Sequence, residues 1–224
     1  SDPLNISMGN PGLKPSFTQN FRLFYNNFVQ NHNKGIMTFV NFSTTNNSIS
    51  NKVTYDETTG GRITRPENIN GNWNAMGAFM FNCSIDSAGV WNINTGAHAN
   101  YNNYVSYLSL DKKSDSQKNT TRSITWRQNL SFSYRNDWAE FSLDGTLTYN
   151  KAKNKLQPTS NLETWQFSYG PSMTLTAPWG TSLNSSLSIN SRRGYNDSSM
   201  NTDEFVWNAQ LSQGFLKGKP LTIM

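Results

Sequence analysis

The sequence of 224 residues holds a single cysteine, Cys83, so no disulfide forms within the chain and a disulfide-stapled secreted domain is excluded. The surrounding Phe81-Asn82-Cys83-Ser84 reads as an ordinary strand position, which points to inert packing rather than a reactive thiol. No run approaches the roughly 18 apolar residues that a membrane-crossing helix needs. Charge is sparse, at 15 % of residues with a net +5. The basic clusters interleaved with aromatics that serve nucleic acid are missing, so a nucleic-acid partner is not expected. Lys112, Lys113, Lys118, Arg192 and Arg193 fall in polar stretches read as lying between strands, where solvation or contact with phosphate-bearing lipid head groups suits them. Chemistry-bearing groups are also few. His32 falls in a short polar turn and His98 on a polar strand face, with no second His or Cys near in sequence to complete a metal site. No nucleophile elbow is present, Gly60-Gly61 lacks the strand-to-helix setting of a phosphate loop, and Asp56-Glu57 and Asp203-Glu204 read as solvated loop edges. An enzyme is therefore not expected, nor any metal or cofactor.

What remains is an unusual mixture. Hydrophobic content is 35 % and the mean hydropathy −0.66, yet 13 % of residues are aromatic. Disordered chains combine high charge with few aromatics, so these rings require an ordered setting. Period-2 alternation supplies one. Across 123–134, Ile124, Trp126, Leu130, Phe132 and Tyr134 share a face opposite Ser123, Thr125, Arg127, Asn129, Ser131 and Ser133. Phe141, Leu143, Leu147 and Tyr149 likewise oppose Ser142, Asp144, Thr146 and Thr148. Trp165, Phe167, Tyr169, Met173, Leu175, Ala177 and Trp179 share one phase, and Leu183, Leu187 and Ile189 oppose Asn184, Ser186, Ser188 and Asn190.

The expected strands run to roughly 10–15 residues, whereas globular strands peak at about 5–6 and a tilted strand crosses a bilayer in about 9–11. Short turns are expected at 31–35, 86–89, 135–137, 178–180 and 217–219. Longer polar connections are expected at about 44–69, 106–121, 150–162 and 191–203. Strict alternation of short and long connections is the habit of outer-membrane barrels. Trp91, Trp138 and Trp179 adjoin short turns, and Trp73, Trp126, Trp165 and Trp207 lie near long connections, as membrane-interface girdles would place them. Trp138 is out of phase with Phe141 and Leu143 and suits the turn itself. The second face is mostly Asn, Ser, Thr and Gln, which suits a lumen holding water or a plug. The reading is an all-β, antiparallel up-and-down set of transmembrane β-barrel strands, about nine with a tenth beginning at Pro220, in the bacterial outer membrane.

Particular words in the sequence sharpen this. Gly9-Asn10-Pro11-Gly12-Leu13-Lys14-Pro15 before an aromatic strand resembles the GNPxLKP segment of TonB-dependent receptor barrels. Thr54-Tyr55-Asp56-Glu57-Thr58-Thr59-Gly60, Asn68-Ile69-Asn70-Gly71-Asn72-Trp73, Ser191-Arg192-Arg193-Gly194-Tyr195, Phe205-Val206-Trp207-Asn208-Ala209-Gln210 and Phe215-Leu216-Lys217-Gly218-Lys219 are similar, in order, to the Bacteroidetes outer-membrane β-barrel family. The resemblance implies a 22-stranded barrel, a plug domain that engages TonB, and uptake of a scarce nutrient such as a metal chelate, cobalamin or a glycan. Residues 1–224 are then expected to be a portion of one barrel domain without its plug and closing strands. Ser1-Asp2-Pro3-Leu4-Asn5 has no signal-peptide character, and Pro220-Leu221-Thr222-Ile223-Met224 reads as an interrupted strand, so a processed or partial chain is expected.

On this reading the partners are outer-membrane lipid and lipopolysaccharide, the plug and TonB, and an unknown nutrient. Ligand contacts are expected from Tyr55, Arg62, Arg65, Arg192, Arg193 and Tyr195 in outward loops. Two other classes compete. A soluble or surface-attached β-sandwich that binds carbohydrate would gather its tryptophans on one exposed face. An enzyme on a smaller barrel would need a His or Asp constellation in the lumen, and none is found.

Overall fold

A computed structural model of the chain describes residues 4–214 and 222–223. Thirteen strands account for most of it: β1 (Asn5–Ser7), β2 (Phe17–Val29), β3 (Lys34–Asn46), β4 (Ser48–Tyr55), β5 (Arg62–Ile69), β6 (Asn72–Ser84), β7 (Trp91–Leu108), β8 (Gln117–Arg135), β9 (Ala139–Asn154), β10 (Leu162–Thr176), β11 (Thr181–Arg193), β12 (Asp203–Gly214) and β13 (Thr222–Ile223). Ten form one sheet in the order β13-β12-β11-β10-β9-β8-β7-β6-β3-β2. Every pair in it is antiparallel. This is the up-and-down, all-β architecture expected, with nine strands preceding the short β13. Pro220 and the turn at 217–219 lie outside the described residues.

The register puts every side chain on one of two faces. Ile93, Phe132 and Leu143 lie on a single cross-strand row, and so do Ala99, Trp126, Tyr149 and Trp165. On the opposite face runs a row of small polar residues, Ser84, Asn92, Ser133, Ser142, Ser172, Ser186 and Asn208, across seven strands. Ser142 and Ser172 share a hydrogen bond of 2.6 Å, and the Ser84 hydroxyl donates to Asn92 Oδ1 at 2.6 Å.

That row also measures the shear of the sheet. Ser84 is the last residue of β6, while Ser133, Ser172 and Asn208 stand two, four and six residues before the ends of β8, β10 and β12. The stagger is therefore one residue per strand. One residue, about 3.3 Å, against a strand spacing of about 4.8 Å tilts the strands by roughly 35°, as barrel strands are tilted.

Scarcely any core exists. Among the described residues the buried apolar side chains are Ile69, Val105 and Ala139 alone, while Phe21, Leu23, Leu130 and Leu143 are all more than half exposed. A sandwich would pack two sheets face to face about 10 Å apart around a shared core. Among the described residues neither a second facing sheet nor such a core is present, so the sandwich alternative fails on architecture.

Several boundaries differ from expectation. The connection expected at 44–69 is a β-hairpin, β4–β5, with β1 added in parallel along β5. It continues the β3–β6 hairpin beyond a kink at Asn47 (φ 54°) and Gly71 (φ 121°). The other long connections shrink to 109–116, 155–161 and 194–202, because β7, β8 and β9 reach 18, 19 and 16 residues. Pairing runs on after the apolar alternation has ended, so pattern alone stops the strands early. Lys118, Arg192 and Arg193 consequently lie within β8 and β11, not between strands. The short turns fall at 30–33, 85–90, 136–138 and 177–180.

Gly170 marks the closest backbone approach. It pairs with Asp144 of β9 beside Pro171, whose missing N–H interrupts the β10–β11 ladder. A Cβ at Gly170 would overlap the Leu187 carbonyl oxygen, whereas one at Gly77 meets nothing nearer than 3.9 Å. Gly170→Ala is therefore expected to destabilise the folded sheet by about 1–3 kcal/mol. Gly77→Ala serves as the near-neutral control, and urea titration of detergent-folded protein checks both.

Candidate functional site

The expected site residues gather in two groups at the long-connection end. Tyr55, Arg62 and Arg65 belong to the β4–β5 hairpin, where Tyr55 and Arg62 are a cross-strand pair and Arg65 opposes Lys52. Arg192, Arg193 and Tyr195 belong to the end of β11 and the connection after it. Strands β7 to β10 separate the two groups within the fold, so the six residues do not form one constellation.

The first group is held by asparagines. Asn10 donates to the Pro66 carbonyl at 2.9 Å and accepts from Arg65 Nη2 at 2.7 Å. Asn68 accepts from Lys14 N at 2.7 Å and donates to the carbonyls of Lys14 and Asn47 at 2.9 and 3.0 Å. Asn70 accepts from Asn47 N at 2.7 Å, at the kink itself. The words around Asn10 and Asn68, far apart in sequence, are thus two halves of one hydrogen-bonded joint. On its other side the hairpin meets the β7–β8 end: Val53 N donates to Ser116 Oγ at 2.8 Å, Tyr55 N to Asp115 Oδ1 at 2.8 Å, and Tyr107 N to Ser50 Oγ at 3.0 Å. Lys52 pairs with Glu67 at 3.6 Å and lies 5.5 Å from the Tyr107 ring centre. Arg65 is therefore committed to structure, and Arg62 keeps a buried Nε without a partner.

The second group borders a cavity of about 600 Å³. Connection 194–202 crosses the polar face of β8 to β10, so Tyr195, Asp197 and Met200 face Ser123, Thr125, Asn150 and Thr164. Gly194 (φ 85°) starts it, where a Cβ would overlap the Glu163 carbonyl. The Gln166 amide donates to the Tyr195 hydroxyl. Arg193 binds both Asp203 oxygens at 2.8 Å, while Arg192 is in none of the ion pairs among the described residues. Asn201, whose side chain accepts from Tyr195 N at 2.9 Å and donates to its carbonyl at 3.1 Å, was not foreseen as a site residue, nor were Gln166 and Asn150; the amides of these last two, inside alternating strands, carry no signal distinguishing them from other polar-face positions. The cavity offers the hydroxyls of Ser123, Thr125 and Thr164, the amides of Asn150 and Asn196, the Tyr195 phenol and the Asp197 carboxylate, beside apolar Leu162 and Met200, a set suited to hydrogen bonding a polar ligand.

The tryptophans sort along the apolar face. Trp73 stacks on Tyr101 at 4.9 Å, and Tyr149 meets Trp165 at 4.2 Å, both towards the long connections. Trp126 opposes Tyr149, and Trp207 donates to Ser185 Oγ at 3.0 Å. Towards the short turns, Trp91 meets Tyr134 at 4.7 Å. Trp138 and Trp179 stand in the turns themselves, 58 % and 73 % exposed. Cys83 lies in β6 on the apolar face, opposite Ile93. His32 touches the Ser84 carbonyl at 3.1 Å, and His98 opposes Arg127 on the polar face. Among the described residues no three His, Cys, Asp or Glu side chains are grouped to hold a metal.

One further patch departs from the pattern. On the polar face, at the short-turn end of β2, β3 and β6, Phe24 opposes Phe39 and Met37 opposes Met80, with Phe28 beside them. Phe24 and Phe28 are each 61 % exposed.

The model of the outer membrane protein beta-barrel family matches residues 1–140. No curated protein and no solved structure matches the chain.

The Asp197 carboxylate orders the connection over the cavity. The hydroxyl and backbone N–H of Ser199 donate to it at 2.6 and 2.9 Å and hold its pKa below the ordinary carboxylate value. A depressed folded pKa gives stability that is present above the unfolded pKa, about 3.9, and is lost as pH falls through the folded value. Limited proteolysis within 194–202 is therefore expected to accelerate only below about pH 4. Asp197→Asn, which keeps an acceptor oxygen, should show no such acid step.

Proposed function

Because the chain belongs to the outer membrane protein beta-barrel family and so resides in the bacterial outer membrane, we propose that it is the barrel portion of a TonB-dependent receptor-type protein. Its role is uptake of a scarce nutrient. The reading rests on one observation above the others, the Phe24, Phe28, Met37, Phe39 and Met80 patch. The face opposite the lipid is otherwise mostly Asn, Ser and Thr, which water satisfies. A patch of large apolar side chains left in a wet lumen has no physical justification; one covered by a domain seated inside the barrel has. A plug is such a domain, and the sequence words similar to TonB-dependent receptors support the same identification.

Sheet width supports it too. Among the described residues β2 pairs with β3 alone, and an open edge does not persist in hydrocarbon. In the membrane that edge must be closed by another strand, as it is in the wide 22-stranded barrel that the sequence resemblance implies. Energy for transport comes through TonB, and no residue makes or breaks a bond. The cavity beneath 194–202 receives the nutrient, with Tyr195 and Asn150 as its contacts. Its amides and hydroxyls, with the Asp197 carboxylate already engaged by Ser199, favour a hydroxyl-rich molecule.

Crosslinking in living cells of the native host, followed by recovery of this protein, is expected to yield an adduct with TonB. A protein in the outer membrane that gives no adduct, and that conducts ions as a permanently open pore in planar bilayers, would contradict the receptor reading.

A further inference from the structure

The lipid-facing surface changes character at the long-connection end of the β8–β9 hairpin. Along β8 the outward positions 126, 130 and 132 are Trp, Leu and Phe, and along β9 positions 141, 143 and 147 are Phe, Leu and Leu. Further up the same rows stand Lys118 and Arg122 on β8, and Lys151 and Lys153 on β9, followed by Lys155. One carboxylate answers them: Glu163 binds Lys151 at 2.8 Å. None of the ion pairs among the described residues includes Lys118, Arg122, Lys153 or Lys155.

Arg122 and Lys153 are directly opposite each other in the register. Like charges so placed destabilise a strand pair, and both side chains are exposed. Arg122 has a weak hydrogen bond from Nε to Asn103 Oδ1 at 3.3 Å, which leaves its terminal nitrogens available. Two steps down the strands the Trp126–Tyr149–Trp165 belt begins, about 13 Å away along β8. Indoles and phenols of this kind mark the boundary between acyl chains and head groups. A cation pair at that height, on the outer surface of the sheet, stands level with lipid phosphates. Long connections point outward in such barrels, so the leaflet is the outer one, which is built of lipopolysaccharide.

We propose that Arg122 and Lys153, flanked by Lys118 and Lys155, form a binding site for a phosphate group of lipopolysaccharide. The phosphate accepts from both cations at once and converts their mutual repulsion into a bridge between β8 and β9. The inference rests on outer-membrane location and orientation and is independent of the uptake reading, so a protein that fails to meet TonB leaves it intact.

The test uses protein purified from outer membranes in mild detergent, with bound lipid counted by native mass spectrometry. Wild type and Lys112→Gln/Lys113→Gln, which removes equal charge from the neighbouring connection, are expected to bind bisphosphorylated lipid A alike. Arg122→Gln/Lys153→Gln is expected to bind it about tenfold more weakly. Arg122→Lys/Lys153→Arg should retain binding, which separates lost charge from lost fold. Dephosphorylated lipid A should bind poorly to every form, and inorganic phosphate should fail to compete. Equal retention by the Gln variant, equal binding of dephosphorylated lipid A, or loss of binding in the charge-keeping variant overturns the proposal. Effective competition by inorganic phosphate overturns it as well, in favour of a site for the soluble ion.

Discussion

In hydrocarbon no water is available to satisfy a peptide group, so every backbone N–H and C=O that crosses the membrane must find its partner within protein. The rest of the molecule depends on this constraint. Each of the nine long strands of the main sheet pairs with a neighbour along almost its whole length, and neighbours in the sheet are neighbours in sequence except where the β4–β5 hairpin intervenes. That hairpin sits at the long-connection end, where the constraint lapses. There the chain kinks, pairs β1 in parallel and spends asparagine side chains on its joints. Proline in mid-strand is tolerated at Pro171 because the register places its missing donor at a single broken rung beside Gly170.

The same constraint explains why a sheet with almost no buried core is a reasonable object. Stability in water would require removing Phe21, Leu23, Leu130 and Leu143 from solvent, yet the fold leaves them exposed. Lipid, not a second layer of protein, covers them. The polar face shows the complementary economy of size. Its Ser and Asn row packs small side chains on β6 to β12 at one level, and the regular stagger along that row sets the strand tilt. Charge gathers where the bilayer ends: Asp197 in an outward connection, Arg193 and Asp203 at the strand ends that flank it, and the cations of β8 and β9 above the aromatic belt.

Strand number, pairing and the faces of β8 to β11 were legible in the sequence, because a membrane strand alternates more regularly than a globular one. Ile124 to Tyr134 and Trp165 to Leu175 needed nothing beyond period 2. Strand ends were not legible. In β7 and β8 the apolar alternation stops at the membrane boundary while hydrogen bonding continues through Asn103 to Leu108 and Gln117 to Arg122. The β4–β5 hairpin was hidden for a related reason: Ser48, Ser50, Asn51 and Lys52 read as loop when no lipid face requires apolar partners. The site was less legible still. Arg62, Arg65, Arg192, Arg193 and Tyr195 share a polar, outward setting in sequence, but Arg65 and Arg193 prove to be structural, and the amides around Tyr195 come together only through the inward fold of 194–202. The inner patch of Phe24, Phe28 and Phe39 required the register, since β2 is apolar on both faces and alternation alone cannot divide it.

The central claim is that one face of this sheet meets lipid and the other an aqueous or protein-filled interior. Nitroxide labels placed singly at 126 to 133 in β8, on a Cys83→Ser background in the folded full-length protein in bilayers, test it directly. Collision with oxygen should peak at 126, 128, 130 and 132, and collision with a water-soluble nickel chelate should stay low there and be higher at 127, 129, 131 and 133. Equal chelate access at both sets would mean that no face of the strand meets lipid, and would contradict the account.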